Sequence, residues 1–177
     1  MGGVDKGLRE LRGKPMIEWV LARFAPQVDE VLINANQNLE VYARLGHRVV
    51  TDQVGGFAGP LAGLQCALSA ANHPLVATVP CDSPFLPADL VERLAAALQA
   101  QQAQLAVAVT GNQPHPVFCL CRRDLLPHLS GFLASGGRKI DAWYATLRVA
   151  EVEFNDESQA FSNINTLEEL HSYERSC

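Results

Sequence analysis

The sequence predicts an α/β protein with three layers, in which a mainly parallel sheet is covered by helices on both faces. Short apolar runs alternate with amphipathic segments of about 10 to 15 residues, the spacing of parallel strands joined by crossover helices. Several of these runs end in Asn or Asp, at the strand ends where open parallel sheets bind ligands. The 177 residues are 48% hydrophobic and 19% charged, so we expect one packed domain.

The first elements follow a strand and helix repeat. Pro15 suits the first position of a helix, and the apolar residues after it are spaced along one helical face. A buried strand is predicted over 28–34, followed by a short helix capped near Asn38 and a second strand over 47–52. Both strands end in polar residues, which predicts a polar rim at their carboxyl ends.

The next repeat begins with a glycine-rich loop. Residues 55–60 lead directly into a helix, and the apolar run over 75–80 predicts a third strand that stops before Asp82. Pro87 is expected to begin the following helix. The predicted rim therefore collects the following polar side chains: Asn34, Asn36, Asp52 and Asp82.

In the second half of the chain, two predicted strands are joined by a short segment instead of a crossover helix. The runs 105–109 and 117–121 are joined by a segment too short for a helix, which predicts an antiparallel pair. Asp124 is placed to cap the next helix, and a late strand is predicted over 147–154. Residues 166–169 read as a capping box that opens a final helix.

Charge and composition exclude several classes of protein. A formal net charge of −5 argues against a broad surface for nucleic acid, and no apolar run is long enough to span a membrane. We therefore expect a cytoplasmic protein. The five cysteines are too few and uneven for a disulfide framework. Cys119 and Cys121 lack a second ligand pair for zinc, so alternate positions of a buried strand explain them better.

Two candidate groups suit a bound anion and its metal. Gly2 and Gly3 offer backbone amides beside the ammonium of Lys6, although a solvated terminal tail explains the same residues. Asp82 follows a buried strand, where its carboxylate can hold Mg²⁺; the alternative is a turn or helix cap. Asp52 holds the matching place on the preceding strand, and two acids on one rim favour a nucleotide with its metal.

Weaker candidates lie later in the chain. Arg138 and Lys139 sit beside two glycines, which suits phosphate binding as well as two solvated charges. Asn163 and Asn165 place two amides on one side of an extended segment, or else form a turn. His115 lies between two prolines and fits a turn better than a catalyst.

The combination of motifs resembles the molybdenum cofactor guanylyltransferase (MobA) family, nucleotidyltransferases with a GT-A-like Rossmann fold. The resemblance covers nearly the whole chain and identifies residues 1–177 as a single nucleotidyltransferase domain. The segments that match the family pattern are MGGVDKG at 1–7, GKP at 13–15, GPLAGL at 59–64, PCDSP at 80–84 and FSNINT at 161–166.

The resemblance implies transfer of GMP from GTP to molybdopterin, with release of pyrophosphate. It implies that Lys6 and Asp82 are catalytic, with Mg²⁺ on Asp82, and that the nucleotide also contacts Gly2, Gly3, Asn34 and Asp52. The pterin side is assigned to Arg138, Lys139, Asn163 and Asn165. GTP and molybdopterin are the expected partners, together with apo-molybdoenzymes and other proteins of cofactor biosynthesis.

One departure from the family pattern carries an expectation of its own. The family opens with a strand and a Leu-Ala-Gly-Gly segment that have no match here, so the domain is expected to be truncated at its N-terminus. Loss of a central strand would expose two strand edges and remove backbone donors for the triphosphate. Adding that segment is therefore expected to raise stability.

Two other functions fit the same residues. The alternatives to guanylyl transfer are a cytidylyltransferase acting on the same pterin and a noncatalytic molybdopterin-binding protein. The segment GPLAGL at 59–64 resembles the guanylyl enzymes more than the cytidylyl enzymes, so GTP is the preferred nucleotide.

Overall fold

The computed structural model describes residues 5–52 and 59–161. The helices are α1 Met16–Phe24, α2 Leu39–Ala43, α3 Pro60–Ala70, α4 Leu90–Ala100, α5 Leu126–Ala134 and α6 Ile140–Tyr144. The strands are β1 Glu10–Leu11, β2 Lys14–Pro15, β3 Leu32–Asn34, β4 Arg48–Val50, β5 Leu75–Thr78, β6 Leu105–Thr110, β7 Gln113–Arg122 and β8 Val149–Glu153. The remaining described elements are single 3₁₀ turns at Lys6–Leu8, Ala25–Gln27 and Arg123–Leu125, and a kinked 3₁₀ segment at Asn155–Phe161.

The larger sheet has four strands in the order β5-β7-β6-β8. Strand β7 is antiparallel to both of its neighbours, while β6 and β8 are parallel, so three strands share one direction and β7 alone runs against them. Strands β3 and β4 form a separate parallel pair, and β1 and β2 form a short hairpin. The predicted parallel sheet with an antiparallel addition is confirmed.

Helices cover both faces of the larger sheet because the side chains of its strands alternate between two apolar cores. On one face, Ala106 and Ala108 of β6 belong to the core that includes helices α1 and α4. On the other face, Leu105 and Val107 belong to the core formed with helices α3, α5 and α6. Helix, sheet and helix therefore form the three layers of the predicted α/β fold.

An apolar cavity lies between the pair of strands β3 and β4 and the four-stranded sheet. Its volume is about 550 Å³, and both β3 and β5 line it along their length. Among the described strands, β3 pairs only with β4, and β5 pairs only with β7. Each strand therefore presents an edge without a strand partner in the described part of the chain.

Several predicted elements are shorter than the sequence suggested. Four predicted strands are shortened to β3, β4, β5 and β8, which lie within the predicted ranges 28–34, 47–52, 75–80 and 147–154. Helix α4 begins at Leu90, three residues after Pro87. The antiparallel pair is longer than predicted, because β6 and β7 extend to Thr110 and from Gln113. The predicted helix at 166–169 lies outside the described residues.

The predicted cap at Asp124 is wrong, and the predicted cap at Asn38 is right in position but lacks a side-chain capping bond. Asp124 lies within the 3₁₀ turn before α5, and its carboxylate accepts from Arg122 Nε at 3.1 Å. Asn38 precedes α2 with a φ of 53°, but its side chain makes no capping hydrogen bond. The amide instead points toward Asp5. Both side chains found charged partners, which compete with backbone capping.

Buried cysteines and helix lengths agree with the composition. Cys119 and Cys121 occupy alternate positions of β7, and both side chains enter the same core, as predicted. The described cysteines Cys66, Cys81, Cys119 and Cys121 are free thiols. Across residues 5–52 and 59–161, every helix is too short or too polar to cross a membrane.

Candidate active site

Lys6 and Asp82 form an ion pair just beyond the carboxyl end of β5. The Lys6 ammonium lies 3.2 Å from Asp82 Oδ2, with the lysine side chain half exposed and the aspartate side chain only 7% exposed. Ser83, the next residue, is fully buried, so the chain around the carboxylate is enclosed by protein. The pair therefore presents a cation to solvent above a sheltered carboxylate.

Asp5 anchors the turn that carries Lys6. Its Oδ1 accepts from the Tyr42 hydroxyl at 2.6 Å and from the Gly7 amide at 3.2 Å. Its Oδ2 accepts from Asn38 Nδ2 at 3.2 Å. Asp5 directly precedes the 3₁₀ segment Lys6–Leu8, so its bond from the Gly7 amide caps the N-terminus of that segment.

A second polar cluster occupies the carboxyl ends of β3 and β4. Asn34 Nδ2 donates to Asp52 Oδ1 at 3.0 Å, and Asn36 Nδ2 donates to Asp52 Oδ2 at 2.8 Å. The Asp52 amide returns a hydrogen bond to Asn36 Oδ1 at 2.9 Å. Parallel pairing sets this geometry, because Asn34 is level with Val50 and both strands end at one edge.

Helix α3 closes tightly over this cluster. A Cβ atom on Gly63 would lie 3.0 Å from Asn34 Oδ1, which is closer than ordinary packing allows. Cys66, one turn further along α3, donates its thiol to the Thr51 carbonyl at 3.0 Å. Gly63 therefore lets the helix approach the Asn34 amide, and the helix start faces the polar rim.

The pKa values of three side chains record the low polarity of the site. Burial and the Asp5 hydrogen bond raise the pKa of Tyr42 far above its usual range, so its hydroxyl remains a donor. Burial, and then the nearby charges of Asp82 and Asp5, raise the pKa of Cys81 to about 11. Burial beside Asp52 also raises the pKa of Cys66. Neutral thiols at these positions exclude a thiolate nucleophile at ordinary pH.

The donor set fits a magnesium ion that a phosphate substrate shares. No cluster of three or more acidic, His or Cys side chains occurs within 5–52 and 59–161. Asp82 offers a single carboxylate that is nine-tenths buried and faces a lysine. Mg²⁺ commonly binds through one or two carboxylates, with phosphates and waters completing its shell. The residues present therefore suit metal binding together with a nucleotide, rather than in its absence.

The other predicted site residues are divided by the structure. Arg138 donates to the carbonyls of Leu133 and Gly137, at 2.7 and 2.6 Å, so its guanidinium closes the end of α5. Lys139 is exposed at the start of α6. Gly2, Gly3, Asn163 and Asn165 lie outside the described residues, as does most of the glycine-rich loop at 55–60.

Sequence reasoning missed Tyr42 and the contact role of Asn38. Tyr42 is 4% exposed and looks like one more core aromatic of a short helix. The only available signal was its distance in sequence from Asn38, since residues four apart share a helix face. Asp5 belongs to the glycine-rich segment at 1–7, but nothing in the spacing of its residues indicates which side chains bond it.

The architecture and rim define a class of protein that solved structures share. Molybdopterin-guanine dinucleotide biosynthesis protein A from Archaeoglobus fulgidus superposes with a TM-score of 0.79 at 23% identity, covering 97% of this chain and 90% of that chain. The 4-diphosphocytidyl-2C-methyl-D-erythritol synthase from Anaerococcus prevotii superposes at 0.75 with 15% identity, covering 96% of this chain and 92% of its own. The fold is that of the nucleotidyltransferases.

Sequence similarity then gives the family. The profile of the MobA-like NTP transferase domain matches residues 1–149, so the chain belongs to that family. The molybdenum cofactor guanylyltransferase of Cupriavidus metallidurans is 50% identical over 179 residues, covering 98% of this chain and 88% of the relative. That of Shewanella amazonensis is 51% identical over 170 residues, covering 96% and 87%.

Proposed function

We propose that this protein transfers GMP from GTP to the phosphate of molybdopterin. An oxygen of the pterin phosphate attacks the α-phosphorus of GTP, the bond from that phosphorus to the bridging oxygen breaks, and pyrophosphate leaves with the electron pair. The observation that carries the proposal is the Lys6 and Asp82 pair at 3.2 Å on the ligand-binding rim. Sequence identity of 50% and 51% to two molybdenum cofactor guanylyltransferases supports the choice of reaction.

Lys6 supplies positive charge where the reaction needs it. Phosphoryl transfer depends on positioning and on neutralising charge at the phosphate oxygens, rather than on a covalent nucleophile. The ammonium is half exposed and is held by a carboxylate, so it can meet a triphosphate while remaining in place. In this proposal Lys6 stabilises the charge that develops as pyrophosphate departs.

Asp82 is the proposed ligand of Mg²⁺. When bound, Mg²⁺ neutralises phosphate charge and helps to align the reacting groups. The Asp82 carboxylate is sheltered from water and fixed by Lys6, which orients it without saturating both oxygens. Asp82 follows the carboxyl end of β5, the end of a strand at which open α/β sheets bind ligands.

Asn34 and Asp52 are the proposed contacts of the guanosine part. Their amide and carboxylate groups already form a rigid pair at 3.0 Å, and Asn36 holds the second carboxylate oxygen. Such preorganised donors and acceptors reduce the ordering cost of binding a polar nucleoside. Gly2 and Gly3 complete the proposed nucleotide contacts from the family resemblance.

Arg138, Lys139, Asn163 and Asn165 are the proposed pterin contacts. The exposed positions of Arg138 and Lys139 are compatible with an anionic ligand, and Arg138 retains donors beyond the two carbonyls it bonds. The proposal includes a cytoplasmic reaction, which the free thiols of the described cysteines support. Apo-molybdoenzymes and other proteins of cofactor biosynthesis are the proposed recipients or partners.

The proposal also includes one further strand between β3 and β5. Within residues 5–52 and 59–161, β3 and β5 each have one edge without a strand partner, and both line one apolar cavity of about 550 Å³. Parallel strands inside such a sheet are apolar on both faces. The family resemblance supplies a candidate in the strand that leads to the Leu-Ala-Gly-Gly segment.

The test is pyrophosphate release from GTP in the presence of molybdopterin and Mg²⁺. We expect release that requires both substrates, and a loss of at least about a hundredfold in an Asp82→Asn variant. Glu151→Gln, at an exposed position of β8, is the matched carboxylate control and should retain activity. Release with CTP alone would favour a cytidylyltransferase. Pterin binding with no release would favour a noncatalytic carrier.

A further inference from the structure

We propose that Tyr42 is a positioning residue, whose buried hydroxyl holds Asp5 and thereby fixes the turn that presents Lys6. The catalytic consequence of this inference rests on the proposed guanylyl transfer. The physical consequence, which is the placement of the lysine, does not. Tyr42 lies on α2, an element that carries none of the residues assigned to the reaction.

The Asp5 carboxylate accepts hydrogen bonds from two side chains at helix α2 and from a backbone amide of its own turn. The Tyr42 hydroxyl donates to Oδ1 at 2.6 Å, and Asn38 Nδ2 donates to Oδ2 at 3.2 Å. The Gly7 amide, on the other side of Lys6, also donates to Oδ1 at 3.2 Å. The residues immediately before and after Lys6 are therefore tied to one carboxylate. Two of its three donors come from α2 and the residue directly before it.

The turn that carries Lys6 packs closely against the tyrosine hydroxyl. A Cβ atom on Gly7 would lie 2.8 Å from Tyr42 Oη and 3.2 Å from Cys81 Cβ. The turn is thus enclosed between α2 and the residue that precedes Asp82. This close approach places the Lys6 ammonium 3.2 Å from the Asp82 carboxylate, across 76 residues of sequence.

The Tyr42 hydroxyl keeps its proton under assay conditions. Burial and the neighbouring Asp5 carboxylate raise its pKa far above the usual range of a tyrosine, so it donates throughout the range in which the protein is assayed. The aromatic ring packs with Ile17 and Ile33, which fixes the direction of the hydroxyl. A rigid donor of this kind orients a carboxylate more narrowly than a solvent-exposed side chain does.

Helix α2 also connects the two halves of the candidate site. It begins shortly after Asn34 and Asn36, which bond Asp52 in the polar cluster proposed to contact the nucleoside, called here the nucleoside cluster. Tyr42 of α2, and Asn38 directly before the helix, bond Asp5 in the turn that carries Lys6. Loss of the hydroxyl is therefore expected to affect the chemical step more than nucleotide binding, because the nucleoside cluster remains intact.

The first test compares Tyr42→Phe with Tyr144→Phe. Both changes remove one hydrogen-bonded hydroxyl, but Tyr144 is the last residue of α6, where it packs against the core formed with α3 and α5 and donates to the Pro116 carbonyl at 2.7 Å. We expect kcat to fall about tenfold or more in Tyr42→Phe, with KM for GTP within about threefold of the parent. Tyr144→Phe should stay within about twofold in both constants. Equal losses in the two variants would overturn the inference.

The second test measures Lys6 directly and does not require catalysis. Brief acylation by an amine-reactive ester, followed by mass spectrometry of peptides, reports the reactivity of each lysine. We expect Lys6 to react several-fold faster in Tyr42→Phe than in the parent protein, while Lys14 is unchanged. Unaltered Lys6 reactivity would overturn the inference. Absence of GTP transfer by the parent protein would instead contradict the proposed function.

A milder variant covers the case in which Tyr42→Phe folds poorly. Asn38 has a φ of 53°, a left-handed conformation that glycine adopts freely, so Asn38→Gly removes the second donor without backbone strain. We expect an intermediate increase in Lys6 acylation and an intermediate fall in kcat. No change in either measurement would contradict the proposed role of this carboxylate anchor.

Discussion

Replacing Lys6 by methionine separates the charge of this residue from its packing. Methionine keeps an unbranched apolar stem of similar length but removes the ammonium that lies 3.2 Å from Asp82. The lysine side chain is half exposed, so solvent screens the pair and its contribution to folding is at most about 1 kcal/mol. For a chain of this size, that corresponds to a fall in Tm of roughly 2 to 4 °C.

The expected catalytic loss is much larger than the stability loss. A preorganised group that stabilises developing charge contributes about 10²- to 10³-fold to kcat, or roughly 2.7 to 4 kcal/mol. We therefore expect Lys6→Met to lower GTP-dependent pyrophosphate release by this factor, measured well below its Tm. Lys14→Met, a lysine on the short β2 strand, is the matched control. Activity of Lys6→Met within threefold of the parent would refute the assigned role.

Three further predictions concern packing, ionisation and the apolar cavity. Gly63→Ala places a methyl group 3.0 Å from Asn34 Oδ1, so we expect KM for GTP to rise several-fold with little change in Tm; an unchanged KM would argue against nucleoside binding there. Cys81 has a pKa of about 11 in the folded protein, above its unfolded value near 8.5, so unfolding releases a proton between these values. Stability should therefore fall as pH rises from about 8.5 toward 11, and Cys81→Ala should reduce that fall in Tm; an identical pH profile in the variant would contradict it. Fusing the family's upstream strand should raise Tm, by roughly 4 to 8 °C for a net gain of about 2 kcal/mol, whereas a Gly/Ser extension of equal length should not. Equal Tm values for the two fusions would argue against a strand in the cavity.

The arrangement of layers was predictable because it depends on repeating patterns. Alternation of apolar residues along β6 divides its side chains between two cores, and the run at 105–109 shows this in the sequence. The antiparallel pairing of β6 with β7 followed from the short connection. Strand ends were less predictable, since the strand predicted over 28–34 contains only three paired residues, Leu32–Asn34.

The candidate site was predictable only where strands end. Asn34, Asp52 and Asp82 follow apolar runs, so a rule about parallel sheets brings them to one rim. The Asp5 anchor was not predictable, because its bond to Tyr42 joins residues 37 apart through the packing of α2. Local sequence predicts the N-cap position of Asn38 correctly, but its side-chain amide bonds the Asp5 carboxylate of another segment instead of capping α2.

The measurement closest to the central claim is identification of the product formed from molybdopterin, GTP and Mg²⁺. The account predicts a molybdopterin guanine dinucleotide, detected by mass spectrometry, with one pyrophosphate released for each dinucleotide formed. Substituting CTP should give neither product, and Lys6→Met should form both at a rate lower by about 10² or more. A cytosine dinucleotide, or bound pterin that is recovered unchanged with GTP, would contradict the account.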